Sequence, residues 1–228
     1  RGGGLTMADP RRVLVTCPPM LGQLDRFTAF AEARGLALVP ATVSQTLSEA
    51  ELIGLLPDYD GWIIGDDPAT RAVFAAGRAG RLRAAVKWGI GVDNVDFAAC
   101  ADLGVPIANT PMMFGAEVAD VAVAYVIGLA RGLFLIDRGV RAGGWPKPAG
   151  VSLAGKRVGL VGLGDIGRNA ALRFRALGMA VRAYDPGVEG DAGVAGVERA
   201  VWPDGVADLD FLVLTCALTP RNRHMVNA

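Results

Sequence analysis

The stretch that decides the fold is residues 157–185, RVGLVGLGDIGRNAALRFRALGMAVRAYD. Residues 158–161 form a short apolar run with β-branched side chains, which predicts a buried strand. Residues 169–177 predict a helix, and Gly178 ends it as a C-terminal glycine does. Residues 180–184 predict a second strand. The stretch therefore predicts a strand, a turn, a helix and a parallel strand in succession.

Three glycines and one acid in this stretch have the pattern of a dinucleotide-binding turn. Gly162, Gly164 and Gly167 have the spacing G-x-G-x-x-G. The first permits a tight turn, the second lets a pyrophosphate approach the backbone, and the third allows close packing of helix on strand. Asp185 follows roughly 20 residues later, where a carboxylate accepts hydrogen bonds from a ribose diol. Because this carboxylate would repel a 2′-phosphate, we expect NAD rather than NADP; a glycine-rich turn in some other α/β domain is the alternative.

Composition restricts the classes of protein that fit. The 228 residues are 52% hydrophobic, and 23 basic residues balance 23 acidic ones, which argues against a nucleic-acid-binding surface. Cys17, Cys100 and Cys216 are far apart and lie in apolar surroundings, as reduced thiols of a cytoplasmic protein do. No metal-ligand spacing occurs, so no metal is expected. The most apolar stretch, residues 118–136, includes Asp120 and predicts a buried helix rather than a membrane span.

The first part of the chain alternates short apolar runs with helical segments, which predicts a parallel sheet covered on both faces. Strands are predicted at residues 13–17, 36–39, 61–65, 84–88 and 105–108, and helices at residues 21–34, 48–56, 68–76 and 96–103. Ser48 and Glu51 form a capping box for the second of these helices. We therefore expect a flavodoxin-like α/β domain at residues 7–108.

The remaining residues, 109–228, predict a Rossmann domain that includes four strands within this sequence. One long helix is expected over residues 116–140 and an irregular loop over residues 143–152. The apolar face of the long helix fits either a core or packing against a second subunit. On the second interpretation the protein is expected to be a homodimer. Further short strands are predicted at residues 194–197 and 211–215.

Several motifs resemble one family, the D-isomer-specific 2-hydroxyacid dehydrogenases, and they occur in its order from about residue 85 onward. They are KWGIGVDNVD (87–96), GVPIANTP (104–111), EVAD (117–120), LAGKRVGLVGLGDIG (153–167), GMAVRAYDP (178–186) and LTPRNR (218–223). The resemblance implies an NAD-dependent oxidoreductase that transfers a hydride between NAD(H) and a small D-2-hydroxy or 2-keto acid.

The resemblance also implies roles for particular residues. Backbone N–H groups of Ile90 and Gly91 would hold the substrate carboxylate. The backbone at Asp165 and Ile166 would meet the pyrophosphate, and Cys216 would lie in a loop that touches the cofactor. Side chains of residues 65–68 and 87–90 are expected to determine which acid is accepted.

The family's catalytic arginine, glutamate and histidine lie on later strands and loops, so none of the three is expected in residues 1–228. His224, the single histidine, is interpreted as a surface or capping residue. The chain is accordingly expected to be a fragment of a longer enzyme. Two alternatives stay open: an NAD-sensing interaction protein that resembles the corepressors of this family, and an inactive fragment.

Overall fold

A computed structural model describes residues 9–227. The chain divides into two compact units, Arg1–Pro111 and Met112–Ala228, whereas the sequence placed the boundary between residues 108 and 109. Each unit has its own parallel sheet and its own buried core. The predicted fold class, two α/β domains of the flavodoxin-like and Rossmann kinds, is confirmed.

The first unit contains a five-stranded parallel sheet. Its strands are β1 (Arg11–Val15), β2 (Leu36–Pro40), β3 (Gly61–Ile64), β4 (Ala84–Lys87) and β5 (Ile107–Asn109). The spatial order β2-β1-β3-β4-β5 is that of flavodoxin-like folds. In such a sheet the loops that follow the carboxyl ends of the strands form the ligand-binding edge. The loops after β3 and β4 therefore occupy the position expected for a binding site.

Five helices accompany this sheet. They are α1 (Pro18–Leu21), α2 (Asp25–Glu32), α3 (Glu49–Leu55), α4 (Arg71–Ala79) and α5 (Phe97–Leu103). The predicted capping box begins α3: the Ser48 N–H donates to Glu51 Oε2 (2.7 Å), and the Glu51 N–H donates to Ser48 Oγ (3.3 Å). The core includes fully buried Trp62 and Phe74, and burial of each stabilises the unit by about 1.5–3 kcal/mol.

The prediction of a single helix over residues 21–34 was wrong. Two prolines at positions 18 and 19 start α1 earlier, because proline favours the first turn of a helix. A turn at Gly22 ends α1 after four residues, and α2 begins at Asp25.

The second unit contains a four-stranded parallel sheet. Its strands are β6 (Arg157–Val161), β7 (Ala180–Tyr184), β8 (Val197–Arg199) and β9 (Phe211–Leu214). Their order, β8-β7-β6-β9, is the 3-2-1-4 arrangement of Rossmann sheets. The strand order reverses between the neighbouring strands β6 and β9. Dinucleotides bind at this reversal in doubly wound sheets, which puts the glycine-rich turn after β6 at the expected place.

The helices of this unit are α6 (Gly115–Arg131), α7 (Leu133–Arg141) and α8 (Asp165–Ala176). The prediction of one helix over residues 116–140 was wrong, because the chain bends by 73° between α6 and α7. Gly132 has a left-handed backbone (φ 67°) that ends α6, and a Cβ there would lie 2.9 Å from Pro148 Cγ, which leaves little room for a side chain. The helix α8 starts at Asp165, four positions before the predicted start at residue 169.

Two features hold α8 in the second unit. Phe174 is fully buried in the core that includes Leu160 and Val181 of the sheet. Arg173 forms an ion pair with Asp120 of α6 at 2.5 Å between Nε and Oδ1. The helix therefore has a fixed position, and its first turn lies directly after the glycine-rich turn.

Candidate functional site

The turn after β6 has a backbone that only glycine fits at its first position. Gly162 has φ 101°, and its N–H donates to the Tyr184 carbonyl at 2.9 Å. A Cβ at Gly162 would lie 2.6 Å from the Cys216 backbone nitrogen. The carbonyl of Gly162 accepts a hydrogen bond from Thr215 Oγ1 at 2.8 Å. The turn is thus fixed from both neighbouring strands, β7 and β9.

The other two glycines differ from Gly162 in what surrounds them. A Cβ at Gly167 would collide with the Gly162 carbonyl oxygen, so this glycine permits the close approach of α8 to the turn. At Gly164, by contrast, no atom of the described residues outside its own segment of the chain lies within 4 Å of the position that a Cβ would take. The backbone at Gly164 is therefore accessible to a ligand, as a pyrophosphate-binding turn requires.

The first turn of α8 provides the electrostatic part of the site. Gly164 is the N-cap of this twelve-residue helix, whose first N–H groups and dipole favour an anion. The side chain of Asp165 packs against Gly115 of α6, and its Oδ1 accepts a hydrogen bond from Asn169 Nδ2 (3.2 Å). Asp165 Oδ2 is buried, and within residues 9–227 it has no hydrogen-bond partner. The half-buried Ile166 follows in the same turn.

The carboxylate of Asp185 lies at the end of β7 and contacts the glycine-rich turn directly. Its Oδ2 accepts from the Leu163 N–H at 2.6 Å, and its Oδ1 accepts from the Gly187 N–H at 2.8 Å. Two carboxylate oxygens offer about four acceptor positions, so two remain for the hydroxyl groups of a ribose. The residue therefore orders the loop and still has capacity to bind a diol.

A cavity of about 680 Å³ joins the turn, Asp185 and the end of β9. Four of the predicted cofactor residues line it, namely Gly162, Gly164, Asp185 and Cys216, whereas Asp165, Ile166 and Gly167 do not. Its volume is within the range of cofactor sites. The open backbone at Gly164 and the helix start beside it fit a dinucleotide.

Sequence reasoning missed three other residues of this cavity. Trp202 forms one wall and packs edge-on against Tyr184, with ring centroids 5.4 Å apart. Arg199 donates to the carbonyls of Gly190 (2.8 Å) and Val188, so its guanidinium orders the loop after Asp185. Thr215 could have been found from its position at the end of β9, because that strand borders the crossover. No local pattern marks Trp202 or Arg199.

Cys216 follows the last strand and is half-buried. Its Sγ is 3.5 Å from Nδ2 of Asn222, which also donates to the Ala217 carbonyl at 2.7 Å. Asn222 therefore closes the loop that carries Cys216. His224 lies beyond this loop, is exposed and has φ 61°.

In the first unit, the predicted residues Ile90 and Gly91 lie in the loop after β4. Hydrogen bonds between Gly89 and Thr110 fix the start of this loop: the Gly89 N–H donates to Thr110 Oγ1 (3.0 Å), and the Thr110 N–H donates to the Gly89 carbonyl (3.1 Å). Within the described part of the chain, neither the Ile90 N–H nor the Gly91 N–H donates to a protein atom. Two free N–H groups at the carboxyl edge of the sheet suit an anionic ligand.

A second cavity, of about 300 Å³, lies beside this loop. Its lining residues come from the loops after β3 and β4: Asp66, Lys87, Trp88, Gly89, Gly91, Asp93 and Asn94. Lys87 is only 4% exposed, and its Nζ donates to the Gly65 carbonyl (2.5 Å) and to Asp66 Oδ1 (3.0 Å). The cavity thus includes part of the two segments, residues 65–68 and 87–90, that the sequence associated with substrate choice.

The floor of the loop after β3 is a buried hydrogen-bond network centred on Asp67. This carboxylate is fully buried and accepts from Thr16 Oγ1, the Leu47 N–H (2.9 Å) and the Gly65 N–H (3.1 Å). Asn94 Nδ2 donates to the carbonyls of Gly65 (3.1 Å) and Asp67 (2.7 Å). The network fixes the loop on which Asp66 lies.

Among residues 9–227, no group of three His, Cys, Asp or Glu side chains is placed to hold a metal ion. No single helix in that range is long and apolar enough to cross a bilayer. Only α6 and α7 taken together meet the length and composition, and they are bent by 73°.

The sheet order, the glycine turn and the acid at the end of β7 define an α/β protein of the dinucleotide-binding class. The family model described as "D-isomer specific 2-hydroxyacid dehydrogenase, NAD binding domain" matches residues 123–228. The glyoxylate/hydroxypyruvate reductase HPR3 of Arabidopsis thaliana is 31% identical over 96% of this chain and 68% of its own length. The chain belongs to the D-isomer-specific 2-hydroxyacid dehydrogenase family, and its second unit carries the family's NAD-binding domain.

Two other similarities differ in extent. The D-3-phosphoglycerate dehydrogenase 2 of Arabidopsis thaliana is 32% identical over 81% of this chain, which spans 30% of that relative's length. The apo structure of the D-lactate dehydrogenase from Escherichia coli superposes with a TM-score of 0.78, covering 95% of this chain and 68% of that one, at 24% identity. The structural likeness supports the fold.

Proposed function

We propose that the full-length protein is an NAD-dependent oxidoreductase that transfers a hydride between NAD(H) and a small D-2-hydroxy or 2-keto acid. The observation that carries the proposal is the cavity in which Gly164 and Asp185 meet, at the start of α8. Bound NADH supplies the hydride. Gly164 and the first N–H groups of α8 bind the pyrophosphate, and Asp185 binds the ribose diol.

The substrate part of the proposal rests on the loop after β4. The free N–H groups of Ile90 and Gly91 donate hydrogen bonds to the carboxylate of the acid, and Gly91 lines the same cavity as Lys87. The hydrogen bonds to Thr110 hold the loop in place before the acid binds, so little ordering is required on binding. A small cavity of about 300 Å³ suits a small acid.

The test uses the full-length protein, purified and supplied with NADH and a panel of glyoxylate, hydroxypyruvate and pyruvate. We expect loss of NADH absorbance with at least one acid and much slower loss with NADPH, because Asp185 repels a 2′-phosphate. Absence of turnover with every acid, despite tight NADH binding, would contradict the proposal and favour the NAD-sensing alternative. Equal rates with NADH and NADPH would contradict the role of Asp185.

We also propose that the protein is a homodimer. Support comes from apolar side chains of α6 and α7 that are exposed although both helices belong to a folded unit: Val121, Tyr125, Leu129, Leu133 and Leu135. A patch of this kind on a monomer usually marks an interface, and a symmetric dimer buries it on both copies at once. Light scattering should give twice the monomer mass, and Leu129→Glu should lower it; an unchanged mass in the variant would contradict this interface.

A reducing compartment, the cytoplasm, is proposed as the location. The support is that Cys17, Cys100 and Cys216 are all free thiols. Thiol titration of the unfolded protein, isolated under non-reducing conditions, should find all three; fewer would contradict the proposal.

A further inference from the structure

The second cavity, beside the loop after β4 in the first unit, is lined by more negative than positive charge. Two carboxylates line it, those of Asp66 and Asp93, and one ammonium group, that of Lys87. The side chain of Lys87 is 5% exposed, whereas that of Asp66 is 81% exposed. The Lys87 ammonium group is therefore buried, whereas the Asp66 carboxylate faces solvent. A ligand entering from solvent meets the negative charge of Asp66 first.

The contacts of Lys87 reduce its value as an anion site. An ammonium group has three N–H donors, and two of those of Lys87 are used by the Gly65 carbonyl and by Asp66 Oδ1, at 2.5 and 3.0 Å. The carboxylate of Asp66 also balances its charge. Lys87 therefore keeps one N–H donor, whose positive charge Asp66 already balances. This donor can form one hydrogen bond to a ligand, but it does not provide the uncompensated positive charge that would attract a phosphate.

The main anion-binding groups are instead uncharged. The N–H groups of Ile90 and Gly91 have no protein acceptor within the described residues, and Gly91 lines the cavity, so they can hold one carboxylate without adding positive charge. A second anionic group on the same small molecule would have to lie near Asp66 or Asp93 in about 300 Å³. Like charges at such distances repel. This repulsion lowers the affinity for ligands with a second anionic group and leaves the affinity for singly charged acids nearly unchanged.

We propose that the Asp66–Lys87 pair makes the site selective for 2-keto and 2-hydroxy acids that carry one negative charge, with a neutral hydroxyl-bearing substituent favoured. Phosphorylated acids and dicarboxylates are rejected. A hydroxyl group can donate to the exposed Asp66 carboxylate, whereas a phosphate cannot approach it. The inference rests on the proposed function. It separates this chain from the phosphoglycerate dehydrogenase to which it is similar, whose name specifies a phosphorylated acid.

The experiment compares kcat/KM of the full-length protein for hydroxypyruvate and for its 3-phosphate ester, in the wild type, Asp66→Asn and Asp102→Asn. Asp102 is the matched control, because it is an exposed carboxylate of the same unit that pairs with Arg71 outside the cavity. Removal of either charge changes the net charge equally. Asp66 is mostly exposed, and the Oδ1 of an asparagine there can still accept from Lys87 Nζ, so the replacement should leave the fold intact.

We expect the wild type to prefer the unphosphorylated acid by at least about tenfold, and Asp66→Asn to reduce that preference by about tenfold. Asp102→Asn should leave it unchanged, and high salt should narrow the wild-type preference because the repulsion is screened. A wild-type preference for the phosphate ester would overturn the inference, as would equal shifts in the two variants.

A binding measurement keeps this inference separate from the proposed function. With NADH present, calorimetry compares oxamate, which carries one charge, with phosphoglycolate, which carries at least two. If no acid is turned over but oxamate binds more tightly and Asp66→Asn removes the difference, the oxidoreductase proposal fails and the charge selection stands. If turnover occurs and phosphoglycolate binds more tightly, the oxidoreductase proposal stands and the charge selection fails.

Discussion

Replacement of Gly162 and of Gly164 by alanine should separate the two roles of the glycine-rich turn. At Gly162 an alanine would have to adopt φ 101°, which costs about 1–3 kcal/mol for a residue with a side chain. Its Cβ would also lie 2.6 Å from the Cys216 nitrogen and 2.8 Å from the Cys216 Cα. These are backbone atoms that cannot rotate away, so overpacking adds about 1–3 kcal/mol. We expect Gly162→Ala to lower the free energy of unfolding of the second unit by about 2–6 kcal/mol.

Gly164→Ala is the matched control. Gly164 has φ −71°, and no atom of the described residues outside its own segment of the chain lies within 4 Å of the position that a Cβ would take. Its free energy of unfolding should therefore change by less than about 1 kcal/mol. The added methyl group would lie where the pyrophosphate approaches, so we expect NAD to bind at least about tenfold more weakly, which corresponds to ~1.4 kcal/mol.

Urea unfolding gives the stabilities, and quenching of tryptophan fluorescence by NADH gives the affinities, with Trp202 in the cavity wall as a reporter. The reasoning is refuted if Gly164→Ala binds NADH as the wild type does, since the pyrophosphate then lies elsewhere. It is also refuted if Gly162→Ala is as stable as the wild type, since the contact with Cys216 then does not exist.

Three further predictions concern single residues. Asp185→Ala should weaken NAD binding by about 1–3 kcal/mol in calorimetry and lower the melting temperature, because two backbone N–H groups lose their acceptor; unchanged affinity would exclude a ribose contact. Asp67→Ala should destabilise the first unit by at least about 3 kcal/mol in urea, since three buried donors lose their partner, whereas Asp102→Asn should cost less than about 1 kcal/mol. Burial raises the pKa of the Cys100 thiol from 9.0 to about 11. The contribution of the neutral Cys100 thiol to the free energy of unfolding is therefore complete below pH 9, and it is lost as the pH rises through about 11. Mass spectrometry after brief alkylation at mildly alkaline pH should find Cys216 modified and Cys100 unmodified; rapid modification of Cys100 in the folded protein would contradict its burial.

Elements of both units were predictable where their signals are local. The strand at residues 180–184 has the bounds that the sequence predicted, and the capping box at Ser48 formed as expected in the first unit. In both cases the residues that determine the structure are close in sequence. The fold class followed from the alternation of such segments.

The break between α6 and α7 was not predictable by the same means. Apolar side chains continue with helical spacing across residues 116–140, so the pattern alone favours one helix. The backbone of Gly132 turns left-handed in surroundings that include Pro148, and that contact joins segments that only the folded chain brings together. Sequence periodicity records which side chains are apolar but not where a later segment will pack.

The residues of the candidate sites also divide into those that local sequence patterns predict and those that only the folded chain brings together. Glycine spacing identified the turn, and the acid at the end of β7 could be found by counting. Trp202 and Arg199 entered the first cavity from a loop that has no recognisable pattern. Asp66 lies in residues 65–68, which the sequence already associated with substrate choice, whereas Asp93 and Asn94 were missed. All three line the second cavity because parallel strands bring their loops to one edge of the sheet.

The hydroxyl of Thr215 joins the end of β9 to the carbonyl of Gly162, 53 positions earlier in the chain. Contacts between residues so distant in sequence form late, because the intervening loop must close first. On the ribosome, the first βαβ segment can emerge complete while its nucleotide loop still lacks this support. The hydrogen bond that supports the Gly162 carbonyl can therefore form only after Thr215 has left the exit tunnel, well after the glycines themselves have been synthesised.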